Sequence, residues 1–363
     1  MKIGIITWFK YENYGTALQA IALQKYLRTR GFDVELINYT IEEKRRRNIF
    51  EKFFSRLILK INKIIYKKSF IKKSEDFKKI IYDNCNVTQE VKTKEEYIKI
   101  CNTYDVIIFG SDQIWNPDVY HAFYFANFSE IKCKRVAYAP SFGMNHIPET
   151  KKQEIKEALE RFSNISVREN EGCQIVKDLI SKDVSTVVDP TLLLTKNEWG
   201  KLEEPLDICN EDYILCYFLS DNIYHWKAAK KFAKQKKLKL VLIPHDGLSY
   251  VKSKYTIRNC NVGNFLSLIK NAKYVITDSF HGSIFSIIYE KQFILFERHN
   301  PMDKLSQNSR LYNLLNILGL EKVLLKYGTN SIKEDENIDY FDVKEKLEFL
   351  IEDSKEYLKK SIC

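Results

Sequence analysis

The sequence predicts an α/β protein with two open domains, each built on a parallel sheet. Short apolar runs typical of buried strands alternate along the chain with segments whose apolar residues recur at helical spacing. Such alternation is typical of βαβ units and therefore of parallel sheets. At 363 residues the chain is too long for one ordinary core, so two domains of similar size are expected.

The first half predicts six strands with helices between them. The opening residues MKIGIIT enter a strand directly, and the helix that follows ends before the dipeptide RG. The stretch DPTLLL and the polar residues after it, to Cys209, predict a linker, which sets the first domain at residues 1–195. The predicted strands are Lys2–Thr7, Asp33–Asn38, Asp105–Phe109, Arg135–Ala139, Ile165–Arg168 and Thr186–Val188, and the predicted helices are Thr16–Thr29, Tyr97–Asn102 and Lys151–Phe162.

The second half repeats this pattern over residues 205–363. Two open α/β domains in tandem predict a ligand cleft between them, outside the carboxyl ends of the strands. The last predicted helix is a candidate for packing back on the first domain. The predicted strands are Tyr213–Leu219, Lys239–Ile243, Tyr274–Thr277 and Phe293–Phe296, and the predicted helices are Trp226–Gln235, Val262–Lys270, Ser283–Glu290, Arg310–Leu318 and Val343–Lys359.

The net charge of +10 is concentrated in one segment, which we assign to the first domain as an insertion. Residues 44–79 contain 14 Lys/Arg and 3 Asp/Glu, a local charge of +11 that leaves the rest of the chain at −1. Phe, Leu and Ile recur there at helical spacing from Phe50 to Ile65, with Lys and Arg on the other side. This pattern predicts an amphipathic helix that binds an anionic membrane surface. The alternative is a core-facing helix with a solvated basic back. Nucleic acid is the weaker option, because aromatic residues on the apolar stripe would not stack on bases.

Composition indicates a cytoplasmic protein. The N terminus lacks the apolar core and cleavage site of a signal peptide, and no apolar run approaches the roughly 18 residues of a spanning helix. The eight cysteines are scattered without a C-x-x-C motif, which is typical of reduced thiols. They do not cluster with the six histidines at zinc-ligand spacing, so we expect no metal site.

The stretch TDSFHGSIFSII joins a predicted strand to a predicted helix. Backbone N–H groups from Ser279 to Ser283, together with the helix dipole, would suit an anion, especially a phosphate. Gly282 allows close backbone approach, and the two serines add hydroxyl donors. His281 would then stand beside the phosphate, where it can donate a proton. The alternative is that Ser279 or Asp278 caps the helix and that His281 is a structural residue.

Two other predicted strand ends carry polar and aromatic residues suited to a ligand. TWFKYENYGTALQAIAL runs from a strand into a helix, and FGSDQIWNP follows the carboxyl end of another strand. The second motif has the density of polar and aromatic groups that suits a sugar-binding rim. A simple turn at the helix start and a helix cap by the aspartate are the alternatives. The candidate residues are Asn13, Tyr14, Gly15, Asp112, Gln113 and Trp115.

Two arginines, Arg168 and Arg298, end predicted strands. Strand-end arginines that face a cleft suit bidentate binding of a carboxylate or phosphate. Each could instead pair with its neighbour, Glu169 or Glu297, at a surface. The stretch NSRLYNLL contains a predicted helix start. Its first three residues could bind an anion or, alternatively, cap the helix; they are Asn308, Ser309 and Arg310.

Seven motifs, taken in order, resemble the bacterial polysaccharide pyruvyl transferases. They are NYGTALQA, FGSDQIWNP, AYAPSFG, ISVREN, VVDPTLLL, TDSFHGSIFSIIYEKQFI and NSRLYNLL, and they run from about residue 3 to residue 320. The order and spacing of the motifs together make the resemblance specific. It implies two Rossmann-like domains arranged as in GT-B glycosyltransferases, with the acceptor on the N-terminal domain and the donor on the C-terminal domain.

The resemblance also implies a reaction. Phosphoenolpyruvate would be the donor and a sugar of a lipid-linked capsular or exopolysaccharide unit the acceptor, with ketal formation, release of phosphate, and no cofactor. His281 falls where the family has its catalytic histidine. Some members have Arg-Leu before that histidine, where this chain has Ser279 and Phe280, so Arg168 or Arg298 is expected to grip the donor. The basic insertion lies outside the motif set and would suit a peripheral protein on the inner face of the bacterial cell membrane.

Two other functions stay open at this point. One is a nucleotide-sugar glycosyltransferase on the same scaffold, for which Glu297 is the candidate acid to hold a ribose. The other is a non-catalytic, membrane-associated scaffold of polysaccharide assembly that has kept the fold.

Overall fold

The computed structural model describes residues 1–40, 60–119, 121–245, 249–301, 308–333 and 337–363. These residues form two compact units. Within the described ranges, the first unit consists of residues 1–40, Ile80–Leu194 and Glu345–Cys363, and the second consists of residues 60–79 and Thr195–Lys344. The C-terminal residues therefore belong to the same unit as the N terminus.

Each unit has its own parallel sheet, and the described strands number eleven. They are β1 (Lys2–Ile6), β2 (Asp33–Leu36), β3 (Val106–Phe109), β4 (Lys134–Ala137), β5 (Asn164–Val167), β6 (Ser185–Thr186), β7 (Tyr213–Tyr217), β8 (Lys239–Leu242), β9 (Tyr274–Thr277), β10 (Gln292–Phe296) and β11 (Leu324–Leu325). The order is β2-β1-β3-β4-β5-β6 in the first unit and β11-β10-β9-β7-β8 in the second.

Helices connect the strands in both units. In the described residues they are α1 (Tyr14–Thr29), α2 (Lys67–Asn84), α3 (Lys94–Cys101), α4 (Glu149–Leu159), α5 (Asn170–Ile180), α6 (Lys196–Gly200), α7 (Ile223–Lys236), α8 (Val262–Asn271), α9 (Phe280–Ile288), α10 (Ser309–Leu318) and α11 (Phe341–Ile362). Because parallel crossovers place helices on both faces of a sheet, strands such as β3 and β7 are buried along their whole length.

Each sheet contains one switch point, where the strand order reverses. The chain moves from β1 outward to β2 and then returns to the other side of β1 at β3. It does the same in the second unit, moving from β7 to β8 and then to β9 on the other side of β7. Loops that leave neighbouring strands at such a point diverge and leave a crevice, which is where open α/β sheets bind ligands.

The α/β prediction is confirmed, and its ten strands are present to within two residues at each end. Three of the numbered elements were missed: β11, which is only two residues long, and the helices α5 and α6. The predicted linker is wrong in its first part. Pro190–Leu193 form a buried 3₁₀ helix, and Trp199 of α6 is fully buried with its ring 5.2 Å from that of Phe285. Apolar packing, which local polarity did not reveal, explains why this stretch is ordered.

The described part of the basic segment belongs to the second unit, which corrects its assignment to the first domain. Residues 60–65 are helical and continue through Tyr66 into α2, because Tyr66 N donates to Asn62 O at 2.7 Å and Phe70 N donates to Tyr66 O at 3.1 Å. We call residues 60–79 the insertion helix. Residues 44–59 of the predicted segment, with Phe50, lie outside the described residues.

The insertion helix exposes its isoleucines, whereas two of its polar residues, Asn62 and Lys73, are buried. Ile61, Ile64, Ile65 and Ile71 are exposed, and Ile64 reaches 77%. Their spacing places them on one stripe of the helix. The core-facing alternative therefore does not hold for these side chains. No helix in the described ranges has the length and apolar content needed to cross a membrane.

Candidate active site

Three loops meet at the switch point of the second unit. Tyr217 and Thr277, the last residues of β7 and β9, are partners in the sheet register. On the other side of β9, Leu295 of β10 lies opposite Thr277. The residues that follow these strands, 218–220, 278–281 and 297–298, therefore lie along one carboxyl edge of the sheet. We call this the β9 edge.

The turn from β9 into α9 is closed by its own hydrogen bonds. Ser279 is the N-cap of α9, and its Oγ accepts from Gly282 N at 3.2 Å. Ser279 N donates to Thr277 Oγ1 at 3.0 Å, and Ser283 N donates to Ser279 O at 3.0 Å. Three of the five amides predicted to hold an anion are thus already used inside the turn. The capping alternative is correct for Ser279.

Gly282 and Ser283 are packing residues of this turn. A Cβ on Gly282 would lie 2.6 Å from Thr277 Oγ1, so glycine lets the helix approach the end of β9. Ser283 is fully buried, and its Oγ donates to Phe280 O at 2.7 Å. Neither residue presents a free group to a ligand as the sequence had suggested.

His281 lies in the first turn of α9 with 8% of its surface exposed. Its ring packs edge-on against Phe280, with the centroids 5.4 Å apart. The guanidinium of Arg310, at the start of α10, lies 5.5 Å from the centre of the same Phe280 ring. The structure therefore brings together two predicted site residues that are far apart in the sequence.

Asp278 is a fully buried carboxylate that joins the loop after β7 to the turn after β9. It accepts from Leu219 N at 2.6 Å, from Ser220 N at 3.1 Å and from Ser220 Oγ at 2.5 Å. His225 Nδ1 lies 3.7 Å from its Oδ2. Burial alone would raise the pKa of Asp278, but the hydrogen bond with His225, the charge of Arg298 and the bonds from Ser220 and Leu219 together hold that pKa below its usual value.

His225 is a buried residue of this edge that the sequence reasoning missed. Its Nε2 lies 3.1 Å from Asn222 Nδ2, and its Nδ1 lies 3.3 Å from Ser220 Oγ. If the amide donates to Nε2, the ring proton is on Nδ1, facing Asp278. One local signal was available in the sequence. Asn222 caps α7, and His225, three residues later, lies on the buried face of that helix.

Arg298 stands two residues beyond the end of β10 and is half-buried. Its charge is one of the reasons for the low pKa of Asp278, and it also opposes the rise that burial causes in the pKa of Tyr217. Arg298 is therefore close to both strand ends at the switch point. Its predicted alternative, pairing with Glu297 at a surface, does not apply, since the Glu297 side chain is fully buried.

Glu297 accepts hydrogen bonds from three groups of its own unit. Its Oε1 accepts from Tyr312 Oη at 2.8 Å and from Lys326 Nζ at 3.1 Å, and its Oε2 accepts from Tyr327 N at 2.8 Å. A carboxylate with this burial and these partners anchors the segments around β11 and α10. It does not face solvent, as an acid that holds a ribose would have to.

Asn308 and Ser309 differ in how they are used. Asn308 Nδ2 donates to His299 O at 2.8 Å, so this side chain holds the segment that follows β10. Ser309 is 6% exposed, and its Oγ has no hydrogen-bond partner among the described residues. A buried hydroxyl of this kind is available for a ligand.

The first unit has a comparable arrangement after β1 and β3. Asn13 is the N-cap of α1, and its Oδ1 accepts from Thr16 N at 3.2 Å. Thr16 Oγ1 donates to Asp112 Oδ2 at 2.7 Å, which ties the start of α1 to the loop after β3. Tyr14 and Gly15 are buried within the first turn. We call this region the β3 edge.

Gln113 and Trp115 follow Asp112 but have different environments. Gln113 is half-buried, and its Nε2 has no partner within the described part of the chain. Trp115 is a core residue, which corrects its assignment to a sugar-binding rim. It is fully buried, its Nε1 donates to Tyr124 O at 3.1 Å, and its ring stacks on Phe125 at 5.3 Å.

Arg168 forms a buried ion pair in the first unit. Its Nη2 lies 2.8 Å from Asp189 Oδ2, with 2% and 0% of the two side chains exposed. Nη2 also donates to Ser111 Oγ, one residue before Asp112. Its partner is thus Asp189, where the sequence had suggested Glu169. Glu169 instead accepts from the loop after β4, at 2.9 Å from Ser141 Oγ.

No group of three or more His, Cys, Asp or Glu side chains in the described ranges is placed to hold a metal ion. None of the eight cysteines, all of which lie in the described ranges, forms a disulfide. Burial raises the pKa of several of these thiols, that of Cys85 to about 12, so they are protonated at physiological pH.

The family model of the polysaccharide pyruvyl transferases matches residues 13–300. The chain belongs to the polysaccharide pyruvyl transferase family. The resemblance in its motifs is thereby confirmed, and membership implies a transferase of polysaccharide biosynthesis that acts on a sugar acceptor. No curated protein sequence matches the chain.

Solved structures show what the transferase is similar to in fold. The UDP-N-acetylglucosamine 2-epimerase from Rickettsia bellii has 9% identity and a TM-score of 0.52, over 100% of this chain and 97% of that one. The UDP-GlcNAc 2-epimerase from Methanocaldococcus jannaschii has 12% identity and a TM-score of 0.49, over 97% and 92% of the two chains. At such identities the likeness to the Rickettsia structure shows the fold alone, which is of the GT-B type.

Replacing Asp278 by Asn should make the free energy of unfolding depend less on pH. Because the folded-state pKa of Asp278 is lowered, its ionised form stabilises the fold above the unfolded-state pKa of about 3.9, and this contribution is lost as pH falls through the folded-state value. The variant should lose about 1.5–3 kcal/mol of unfolding free energy at pH 7. Urea unfolding at pH 7, and at steps below pH 5, measures the difference.

Asp212→Asn is the matched control, since Asp212 is largely exposed and pairs with Lys273 at the surface. Its unfolding free energy should stay within about 0.5 kcal/mol of the wild type. A deficit of Asp278→Asn that stays constant from pH 7 to pH 3 would contradict an ionised Asp278.

Proposed function

We propose that this transferase moves pyruvate from phosphoenolpyruvate onto two hydroxyls of a sugar in a lipid-linked capsular or exopolysaccharide unit. The product is a ketal, and phosphate is released. One observation carries the proposal: the β9 edge holds His281 and Arg298, and Arg310, at the start of α10, lies against Phe280 of the same edge. One acid and two cations match a donor that has one carbon to protonate and two anionic groups to hold.

The reaction balances with these groups alone. His281 gives a proton to the methylene carbon of phosphoenolpyruvate, and the central carbon becomes cation-like. A first sugar hydroxyl bonds to this carbon, and its proton returns to His281. The bond from the central carbon to the phosphate oxygen then breaks, with the electron pair leaving on phosphate. A second hydroxyl takes the position of the phosphate, gives its proton to the departing phosphate and closes the ketal ring.

Arginines suit the anions of this donor. A guanidinium binds a carboxylate or phosphate through two parallel hydrogen bonds, and such charge-assisted bonds stabilise the negative charge that grows on the leaving phosphate. Ser309 adds a buried hydroxyl next to Arg310 in the chain. The other predicted donor residues shape the turn before α9 and the segment after β10. They are Ser279, Gly282, Ser283 and Asn308.

The β3 edge is the proposed acceptor site of the first unit. Gln113 offers an amide without a partner in the described ranges, beside Asp112 and the α1 start at Asn13. Amide and carboxylate groups of this kind hydrogen-bond sugar hydroxyls. Arg168 acts here through its ion pair with Asp189, which fixes Ser111 and so the position of Asp112. Its role as a donor ligand stays a prediction.

The nucleotide-sugar alternative loses its one supporting residue. Glu297, the acid that could have held a ribose, is buried and accepts hydrogen bonds from three groups of its own unit. A similar fold in UDP-sugar enzymes does not restore this alternative, because fold alone does not determine function.

We also propose that the protein works at the inner surface of the cell membrane through the insertion helix. The exposed stripe of Ile61, Ile64 and Ile65 is flanked by exposed Lys63 and Lys67. Isoleucine inserts between lipids, and lysine near anionic headgroups adds about 1 kcal/mol per residue. A lipid-linked acceptor would be confined to the same surface.

Replacing His281 by Ala should lower turnover by roughly 10²–10⁴-fold, the usual contribution of a general acid. The assay follows phosphate release from phosphoenolpyruvate in the presence of lipid-linked glycans, with mass spectrometry of the glycan to detect added pyruvate. His146→Ala is the control, because His146 is exposed in the first unit. A folded His281→Ala variant with wild-type turnover would contradict the assignment. Wild-type release of UDP from UDP-sugars would favour a glycosyltransferase, and no turnover with either donor would favour a scaffold.

The two strand-end arginines should respond differently to alanine substitution. Arg298→Ala should weaken kcat/KM for phosphoenolpyruvate by about 10–100-fold, the equivalent of 1.5–3 kcal/mol, and lysine should restore it poorly. Arg168→Ala should instead reduce the unfolding free energy by about 3–5 kcal/mol, because it leaves Asp189 buried without its cation. A stable Arg168→Ala variant with altered donor kinetics would instead indicate that Arg168 binds the donor.

Replacing Ile64 and Ile65 by Ser should reduce co-sedimentation with anionic vesicles by about tenfold or more, since each loses apolar area that would insert. Thermal stability should not change, because both side chains are already exposed, at 77% and 64%. Phe349→Ser is the control, an equally exposed apolar residue (74%) on α11. Wild-type binding should weaken as salt rises, over a Debye length of about 8 Å at physiological ionic strength. Unchanged binding of the double variant would rule out the isoleucine stripe as the contact.

A further inference from the structure

A second basic segment lies outside the insertion, within the second unit. Residues 222–277 contain 12 Lys/Arg and one Asp/Glu, so their local charge of +11 equals that of residues 44–79. The sum of −1 outside residues 44–79 conceals this segment, because acidic residues elsewhere in the chain balance it. Seven of its lysines fall in residues 222–245, where the sequence has no acidic residue. That stretch contains α7 and β8.

The helix α7 separates its basic side chains from its apolar ones. Its inner face packs into the core of the second unit through buried residues that include Trp226 and Phe232. The exposed lysines recur at helical spacing on the opposite side, so they form one stripe along the helix. We call them the lysine stripe of α7; they are Lys227, Lys230, Lys231 and Lys234.

Carboxylates do not neutralise most of this stripe. Lys230, Lys231 and Lys234 form no ion pair with any other residue that the structure describes. The two acidic residues before β7 pair instead with Lys239 and Lys273. Like charges three or four residues apart on a helix repel each other, so the stripe makes α7 less stable than a mixed surface would.

Other surface helices of the chain mix the two signs of charge. On α4, Lys151 pairs with Glu154, and on α11, Lys355 pairs with Glu352. The 14 residues of α7 include no acidic side chain. A helix that only covers a sheet gains nothing from such a bias, which is typical of a surface that binds a negatively charged partner.

Exposed apolar side chains stand at one end of the lysine stripe. Ile223 and Tyr224, in the first turn of α7, are 55% and 43% exposed, and Val251, which follows β8, is 63% exposed. Lys252 Nζ lies 5.9 Å from the centre of the Trp226 ring, so the segment around Val251 is close to α7. We call the three apolar residues the apolar tip.

The apolar tip adjoins the insertion helix. Tyr66 and Phe70 of that helix stack on Tyr250, with ring centroids 6.0 Å and 4.9 Å apart. Tyr250 directly precedes Val251, and Lys252 reaches the Trp226 ring of α7. Residues 250–252 therefore contact the insertion helix on one side and α7 on the other. The exposed isoleucines and the lysine stripe belong to neighbouring elements of one unit.

We propose that the lysine stripe and the apolar tip form a second membrane contact, which binds an anionic lipid surface beside the insertion helix. The inference rests on the proposed attachment to the membrane and adds a contact that the insertion does not supply. Lysines suit anionic headgroups, and apolar side chains insert between lipids. A soluble polyanion would use the lysines alone, so the tip favours lipid as the partner.

This contact lies at the edge of the sheet that carries the proposed donor site. Ile223 stands three residues after Ser220, whose Oγ donates to Asp278 of the β9 edge at 2.5 Å. A bilayer held at the apolar tip would therefore be on the same side of the second unit as the end of β9. A lipid-linked acceptor would arrive from that surface.

The lysine stripe is tested by co-sedimentation of the full-length protein with vesicles of equal parts phosphatidylglycerol and phosphatidylcholine. Replacing Lys230, Lys231 and Lys234 together by Gln should weaken binding by about 10–100-fold, because each lysine near an anionic surface adds to the attraction. Thermal stability should not fall, since all three side chains are exposed.

The matched control removes the same charge from the first unit. Lys99, Lys182 and Lys346 are exposed there, and their joint replacement by Gln should leave vesicle binding within about twofold of the wild type, because salt screens charges that do not touch the surface. Equal losses in the two triple variants would show that net charge alone drives binding, and would overturn the proposal.

The apolar tip is tested by Ile223→Ser combined with Val251→Ser. Vesicle binding should fall by about tenfold, since apolar area that inserts is lost. Retention on immobilised dextran sulfate should not change, because a soluble polyanion meets only the lysines. Unchanged vesicle binding of this variant would contradict a bilayer as the partner.

The outcomes separate this inference from the proposed function. If the Ile64→Ser, Ile65→Ser variant loses vesicle binding and the triple lysine variant of α7 does not, the inference is wrong and the proposed attachment through the insertion helix stands. If the wild type does not bind these vesicles, both are wrong. Weaker retention of the α7 variant on dextran sulfate, with its vesicle binding intact, would assign the stripe to a soluble polyanion and overturn the proposal. Phosphate release from phosphoenolpyruvate tests pyruvyl transfer separately.

Discussion

A buried carboxylate ties together the two loops at each switch point. A parallel sheet brings these loops side by side but makes no hydrogen bonds between them, since its ladders end with the strands. In the second unit Asp278 supplies the missing contacts, through Ser220 and the backbone of Leu219. In the first unit Asp112 does so through Thr16 at the start of α1. The position of His281, three residues after Asp278, depends on this tie.

The sequence predicted the strands well because buried parallel strands are short, continuous apolar runs, and β9 was predicted to the residue. It predicted the place of His281 because a strand end that meets a helix start is a local pattern. It could not predict partners that are distant in the chain, such as Asp189 for Arg168 or His225 for Asp278. Trp115 was misassigned for the same reason, since a polar neighbourhood in sequence says nothing about the side of the loop on which an indole packs.

The insertion helix shows how far an amphipathic pattern can be interpreted without a structure. In the described residues, Ile61, Ile64 and Ile65 share one stripe as the sequence predicted, but a stripe does not say which side faces the protein. Here the inward side is made of Tyr66, Phe70 and buried Lys73, and the isoleucines face outward. Aromatic stacking outweighs simple hydrophobicity because flat rings have a matching partner in Tyr250 and branched side chains do not. The exposed stripe is then free for a second apolar environment.

A buried ion pair decides which of the two strand-end arginines can hold a substrate. A guanidinium that is 2% exposed and bonded to Asp189 has its charge neutralised, and freeing it for a ligand would leave a buried carboxylate alone at a cost of several kcal/mol. Arg298 is half-buried, and the carboxylate whose pKa it lowers already accepts hydrogen bonds from Ser220 and Leu219. Its charge can therefore be shared with an incoming anion at little cost. The two arginines look alike at the ends of their strands, but Arg168 is committed to a buried ion pair, whereas Arg298 keeps an exposed part.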